Sequence, residues 1–388
     1  MSEKLIRKYK DESAAVYRID NGSNAETDIR SYAVSTRETR DLMNYPEIVN
    51  IDFTEKMRNG VTTALKGLNH LEKLSSINSQ NVNIFHILRG GLNFQLSSAL
   101  NKAYGYKWHS SSYISSQRIL KEGKFEIAED LYRKFIVPDQ ATIYTADIVA
   151  SGVSLDNSLK YLDAYMDSKG YAIKNFIFFT IGCGEALRVL KKWHARFLEK
   201  YPDYERTILC YLEGKFALAG SETPLSNVIP DTDLLKNYKY DALLTPEFEH
   251  SQFEKMMTAM EACVIYDGGK KGFEPANHIK DILGFWEKQL GTAQEKNLSV
   301  WEEYTARFPL DHYFENIIEL KPGSPEILKK NKEQFWQGLE EDEYEKLFYR
   351  FNWLWDKRRL QQASQPGSFS QVCRKKIKYL QSLLGEFS

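Results

Sequence analysis

From Val82 onward the apolar positions fall into short runs, each followed by a turn and then by a helical pattern. VNIFHIL is followed by RGG and then LNFQLSSALNKAYG; ATIYTAD is followed by IVASGVS and then LDNSLKYLDAYMDSKG. A third apolar run, NFIFFTI at Asn175 to Ile181, comes directly after. Short strands alternating with helices predict βαβ units joined by right-handed crossovers, and hence an α/β fold with a Rossmann-like, mostly parallel sheet. Residues 1–75 read as a mainly helical N-terminal region, with helical spacing in TEKMRNGVTTALK from Thr54 and a polar break at NGSNAE from Asn21. Beyond about Lys270 the strand pattern fades. Residues 269–388 read as an α-helical extension rich in aromatics, among them Trp286, Trp301, Trp336, Trp353 and Trp355, with a helix start at Ser324-Pro and a break at Gln365-Pro-Gly-Ser. The three regions are therefore 1–75, 76–268 and 269–388.

Composition narrows the functional classes. The 388 residues are 42% hydrophobic and 27% charged, a globular mixture. With 52 basic against 53 acidic side chains the formal charge is -1, so no global field draws the chain to nucleic acid or an anionic membrane. No stretch approaches the roughly 20 apolar residues that span a bilayer, and MSEKLIRKYKDESAAVYRID lacks the apolar core of a secretory signal. A soluble cytoplasmic protein is expected. Cys183, Cys210, Cys263 and Cys373 form no C-x-x-C pair and read as buried free thiols. H-E-x-x-H, G-x-S-x-G and a Walker A loop are all missing, which argues against zincin, α/β-hydrolase and P-loop chemistry.

The chemistry concentrates in two turns. In Ile143-Tyr-Thr-Ala-Asp147-Ile-Val-Ala150-Ser151-Gly152-Val153-Ser154, a strand delivers one aspartate at its end and a small-residue loop opens a helix. The first amides of such a helix lack intrahelical partners and lie at the positive end of its dipole, a setting suited to a phosphomonoester. Ser151 and Ser154 add hydroxyls, Gly152 lets the backbone approach, and Asp147 can accept hydrogen bonds from sugar hydroxyls. The structural alternative makes Ser154 a plain N-cap and Asp147 a turn residue. In His86-Ile-Leu-Arg89-Gly90-Gly91, a cation and two glycines again follow a strand and precede a helix, a second anion-receptive turn.

These two motifs resemble those of the type I phosphoribosyltransferases over roughly residues 80–185. ILRGGLNF is similar to the pyrophosphate loop of that family. The segment ending at Asp147, with Ala150 to Ser154, is similar to its ribose-phosphate loop, where an apolar strand, two acids and a small loop of threonine or serine and glycine follow one another. The resemblance implies that phosphoribosyl pyrophosphate and Mg²⁺ are the ligands, the metal being held by Asp147 through water or through ribose hydroxyls. It implies catalytic roles for Asp147, Arg89 and Arg118, with Arg118, Lys121 and Lys124 on the mobile loop that closes over pyrophosphate in the family. Substrate would be bound by Arg89, Gly90, Gly91, Asp147, Ala150, Ser151, Gly152, Val153 and Ser154. Two departures qualify the picture. Ala146 stands where the family has a second acid, and Ala150 where enzymes of 6-oxopurines carry an acid that binds the base. A catalytically weakened binding or regulatory module is thus the competing implication. Asp231, Asp233 and the Gly182-Cys-Gly-Glu185 turn could touch a base or metal, or simply cap turns. The layout is also similar to effectors of bacterial antiphage retron systems. That similarity implies a toxin whose partners, docking on the helical extension, would be a reverse transcriptase with its RNA-DNA product and a winged-helix protein.

Overall fold

The computed structural model describes residues 4–20, 29–121, 124–219, 234–236, 242–252, 259–266, 274–307 and 361–387. The N-terminal region departs from the helical expectation. It opens with three strands, β1 (Lys4–Lys10), β2 (Ala14–Asp20) and β3 (Arg30–Thr36), before α1 (Arg37–Asn44) and α2 (Asn50–Glu72). The charges of KLIRKYK belong to an edge strand, where lysines discourage pairing with another chain. β3 then pairs with a strand from far along the sequence, so β1, β2 and β3 extend the central sheet and do not form a separate helical region.

The strands and helices that the hydrophobic pattern predicts are present as β4 (Val82–Leu88), α3 (Leu96–Tyr104), β7 (Ala141–Val149), α4 (Val153–Lys169) and β8 (Ile173–Cys183), and the structure adds β5 (Ser110–Lys121), β6 (Lys124–Lys134), α5 (Gly184–Lys200) and β9 (Arg206–Leu218). The sheet order is β1-β2-β3-β9-β8-β7-β4-β5-β6. From β3 to β5 every neighbouring pair is parallel, while β1-β2, β2-β3 and β5-β6 are antiparallel. Two short strands, β10 (Leu234–Leu235) and β11 (Leu243–Leu244), pair antiparallel with β9. The result is a mixed α/β fold with a mostly parallel centre.

Alternation along the strands builds two apolar layers. In β8, Ile177, Phe179 and Ile181 face one layer, whereas Phe176 and Phe178 face the other. The first layer takes Phe53, Met57, Val61 and Leu65 of α2 with Leu96 and Leu100 of α3; the second takes Leu155, Leu159 and Leu162 of α4 with Val189 and Trp193 of α5. Strands buried on both faces read as continuous apolar runs, which is why these were legible in the sequence.

The described part of the C-terminal extension is helical: α7 (Pro275–Glu295), α8 (Val300–Arg307) and α9 (Ser368–Gly385), preceded by α6 (Pro246–Ser251). Ile282, Phe285, Trp286, Trp301, Tyr304, Phe369 and Leu380 join the first layer and continue its core. Trp286 and Trp301 are therefore core residues, not a docking face; Trp336, Trp353 and Trp355 lie outside the described residues. No helix among the described residues is long and apolar enough to cross a membrane, and all four cysteines are free and buried.

Candidate functional site

Because β4 and β7 are parallel neighbours, with His86 opposite Ala146, their carboxyl ends bring the two sequence motifs side by side. After Leu88 the chain turns through Arg89, whose peptide bond to Leu88 is cis, into a short 3₁₀ segment, Gly90–Phe94. The two glycines are required by contact rather than by dihedral angle. A Cβ on Gly90 would collide with Oδ1 of Asp147, and one on Gly91 would lie 2.7 Å from the carbonyl oxygen of Ala146. The Arg89-Gly90-Gly91 turn can lie against the end of β7 only because both side chains are absent. Arg89 itself is exposed.

Asp147 is 9% exposed, and its Oδ1 accepts the amide N–H of Ile148 at 2.9 Å. The hydroxyl of Thr180 on β8 donates to the Asp147 carbonyl at 2.9 Å, and Cys183 Sγ donates to the Ala150 carbonyl at 3.1 Å. Both bonds fasten the loop to the next strand. Burial pushes the Cys183 thiol pKa up, so this group serves as a neutral donor.

Gly152 is the N-cap of α4, with φ +75°, and no side chain caps the helix. Ser154 is thus inside the first turn and is not the N-cap; its carbonyl accepts the Ser158 hydroxyl at 2.7 Å. A Cβ on Gly152 would lie 3.0 Å from Val189 Cγ2 of α5, so packing and dihedral angle both select glycine there. Asp156, in the same first turn, is held by Lys192 Nζ at 2.7 Å and Trp193 Nε1 at 2.7 Å, which leaves the amino end of the helix to its own amides. Ser151 Oγ is buried without a hydrogen-bond partner. An orphaned hydroxyl in a loop of small residues at a helix amino terminus is an expensive feature for a purely structural turn, and a hydrogen-bonding ligand oxygen would relieve it.

Arg89, Gly90, Gly91, Asp147, Ala150, Ser151, Gly152, Val153 and Ser154 are thus gathered at one edge. Arg118 is elsewhere in kind: the expected loop is a two-stranded antiparallel ribbon, β5 with β6, in which Arg118 pairs with Ile127 and Lys121 with Lys124. The alternating residues of SQRILK and KFEIAE favour strand pairing over loop. The Arg118 side chain, Asp231 and Asp233 lie outside the described residues. Glu185, in the first turn of α5, pairs with Arg188 at 2.7 Å and places negative charge at the amino end of its own helix.

Sequence reasoning did not single out His86 as a site residue. It is buried beneath the glycine turn, stacked on Tyr113 at 4.8 Å, with Nδ1 unpartnered. Burial, with a smaller contribution from His109, lowers its pKa to about 4, so the ring is neutral near pH 7. Among the described residues no group of three or more His, Cys, Asp or Glu could hold a metal ion.

No protein-family model and no curated protein matches this sequence. Solved structures do. The AQ2163 protein from Aquifex aeolicus is 16% identical over 48% of this chain and 87% of its own, with a TM-score of 0.30. Adenine phosphoribosyl transferase from Trypanosoma brucei, solved with AMP, pyrophosphate and ribose-5-phosphate, is 12% identical over 47% of this chain and 83% of its own, at 0.31. A hypoxanthine phosphoribosyltransferase from Staphylococcus aureus is 14% identical over 32% of this chain and 64% of its own, at 0.23.

Proposed function

We propose that the chain binds phosphoribosyl pyrophosphate between the Arg89–Gly91 turn and the Asp147–Ser154 loop, and that it transfers the phosphoribosyl group to an acceptor or to water. The observation that carries this reading is the meeting of two anion-receptive turns on neighbouring parallel strands with one buried carboxylate between them. Asp147 accepts ribose hydroxyls. The amides of Gly152 to Ser154 and the Ser151 hydroxyl hold the 5-phosphate at the amino end of α4. Arg89 with the amides of Gly90 and Gly91 holds the pyrophosphate.

In the reaction the anomeric C–O bond breaks, pyrophosphate leaves with the electron pair, and the acceptor bonds to the anomeric carbon and loses a proton. Arg89 and the glycine amides stabilise the charge that develops on the leaving group, which is electrostatic catalysis needing no covalent nucleophile. The donor set fits Mg²⁺ only as an ion carried on the oxygens of the substrate, since among the described residues no group of three or more His, Cys, Asp or Glu could hold a metal ion. When bound, the metal supplies charge neutralisation at pyrophosphate, and Asp147 is the residue that would hold it through water or ribose hydroxyls.

One observation favours a second reading, a phosphoribosyl pyrophosphate or nucleotide-binding module with weakened turnover. Ala146, where a second acid would stand, is fully buried in the first apolar layer, so no second carboxylate serves the ribose from that position. An effector role in an antiphage system, with a ribonucleoprotein partner, is supported by layout alone and is tested by the genes beside this one. Incubation with radiolabelled phosphoribosyl pyrophosphate and Mg²⁺, with and without cell extract, separates the readings of the site. Pyrophosphate release supports transfer, binding without release supports the module, and absence of binding overturns both.

A further inference from the structure

The opposite edge of the sheet carries a second concentration of positive charge. β3 begins at Arg30 and β9 at Arg206, so both arginines stand at the amino edge, away from the carboxyl ends where Asp147 and the glycine turns lie. There a cavity of about 320 Å³ is lined by Lys8, Arg18, Arg30, Tyr32, Leu71 and Glu72. Its size is at the small end of the range for ligand pockets.

The charges do not cancel. Glu72, 3% exposed, accepts Arg30 Nη1 at 2.7 Å, Arg206 Nη1 at 3.0 Å and the Tyr32 hydroxyl at 2.5 Å. Its two oxygens are thereby supplied, and the partial negative charge at the carboxyl end of α2 is opposed by the same arginines. Lys8 and Arg18 remain, with no ion-pair partner among the described residues. A lysine on an edge strand is ordinary protection against strand pairing. Arg18 and Arg30 are on inner strands and have no such role.

Backbone geometry places all three cations on one face. Arg18 is directly opposite Tyr32, and Arg30 shares the face of Tyr32 by alternation. Lys8 reaches that face through a β-bulge. The register runs Arg7 opposite Tyr17 and then Tyr9 opposite Val16, with Lys8 as the extra residue. A regular strand would send consecutive residues to opposite faces; the bulge lets both Lys8 and Tyr9 turn toward α2. Tyr9 stacks on His70 of α2 at 4.1 Å, and Lys8 lines the cavity. Bulges of this kind commonly re-aim a side chain at a site.

We infer that this cavity binds a small phosphate ester, its phosphate held by Lys8, Arg18 and Arg30 and its organic part resting on Tyr32 and Leu71. It is distinct from the site between β4 and β7 and does not depend on it.

The test is equilibrium dialysis of the full chain against radiolabelled orthophosphate at low salt. A Lys8→Gln/Arg18→Gln variant should bind one phosphate fewer per chain, or bind at that site at least tenfold more weakly. A charge-matched variant at exposed positions, Lys66→Gln/Lys102→Gln, should behave as wild type. Adenosine 5′-monophosphate should displace the label at lower concentration than unlabelled orthophosphate; the reverse order would overturn the ester. Equal binding by wild type and the Lys8→Gln/Arg18→Gln variant, or equal loss in the control, would overturn the site. Should the loop at Gly152 hold no phosphate, wild type would still bind one equivalent and the Lys8→Gln/Arg18→Gln variant none, so the two failures are distinguishable.

Discussion

Two buried carboxylates stand near the same edge of this sheet, and they differ in what surrounds them. Asp147, at the end of β7, sits under a turn stripped of side chains, beside an orphaned hydroxyl and an uncapped helix. Glu213, on β9, is fully buried and enclosed by its own chain. It accepts the Ser35 hydroxyl at 2.6 Å, the Thr36 amide at 2.9 Å, the Thr39 hydroxyl and, at 3.4 Å, the Thr245 hydroxyl. It fastens the amino end of α1, where Thr36 and Thr39 form a capping box, to the centre of the sheet. Its φ of +66° is held by these bonds. An acid whose donors all come from the fold serves the fold, whereas one flanked by glycines and unused donors is prepared for a ligand.

The comparison breaks most visibly at Glu213. Glu213→Ala would leave the buried Ser35 hydroxyl without its acceptor and the Thr36 amide and Thr39 hydroxyl with only each other's residue as partner, and should cost roughly 2–4 kcal/mol in urea unfolding while leaving ligand affinity of the folded fraction unchanged. A loss below about 1 kcal/mol would show that the network is dispensable. Burial raises the Glu213 pKa to about 7. The native state therefore holds its proton more tightly than the unfolded chain. This contribution to stability is full below the unfolded carboxylate pKa, near 4.5, and is lost as pH rises through about 7, a change of roughly 3 kcal/mol. Glu213→Gln should flatten that slope in unfolding curves measured from pH 4 to 8.

On the other side, Gly90→Ala should reduce affinity for phosphoribosyl pyrophosphate at least about 100-fold, since the new Cβ displaces either Asp147 or the turn. Calorimetry on the folded variant reads this directly, and wild-type affinity would mean that the turn is not part of the site.

The legibility of these two regions explains itself physically. The turns at Arg89 and Ser151 were readable because each lies between an apolar run and a helical pattern, with glycine marking the join. That Gly90 rests on Asp147 was not readable, because only the parallel pairing of β4 with β7 brings residues 57 apart in sequence together. Glu213 was invisible for the same reason: it interrupts an apolar strand, and its donors Ser35 and Thr39 precede it by 178 and 174 residues. The N-terminal strands were misread because β1 is a charged edge and β2 and β3 are short, so their period-two signal is weak over seven residues each.

A smaller effect is expected at Asp147→Asn. Charge-assisted bonds to two ribose hydroxyls are weakened, which predicts roughly 1.5–3 kcal/mol, or about 10- to 150-fold, in affinity for phosphoribosyl pyrophosphate. Unchanged affinity would remove Asp147 from the site. Smallest is Ser151→Ala, which should weaken binding by about 1 kcal/mol yet leave unfolding stability unchanged or slightly higher, because an unpaired buried hydroxyl is removed. A loss of stability would instead assign Ser151 a structural partner.

The most direct measurement is calorimetric titration of the full chain and of Gly152→Val with phosphoribosyl pyrophosphate and Mg²⁺. A β-branched side chain there meets both a φ of +75° and Val189 of α5, in the loop assigned to the 5-phosphate. The account predicts that a folded Gly152→Val variant binds one molecule fewer per chain than the wild type. Equal binding by both, or none by the wild type, would contradict it.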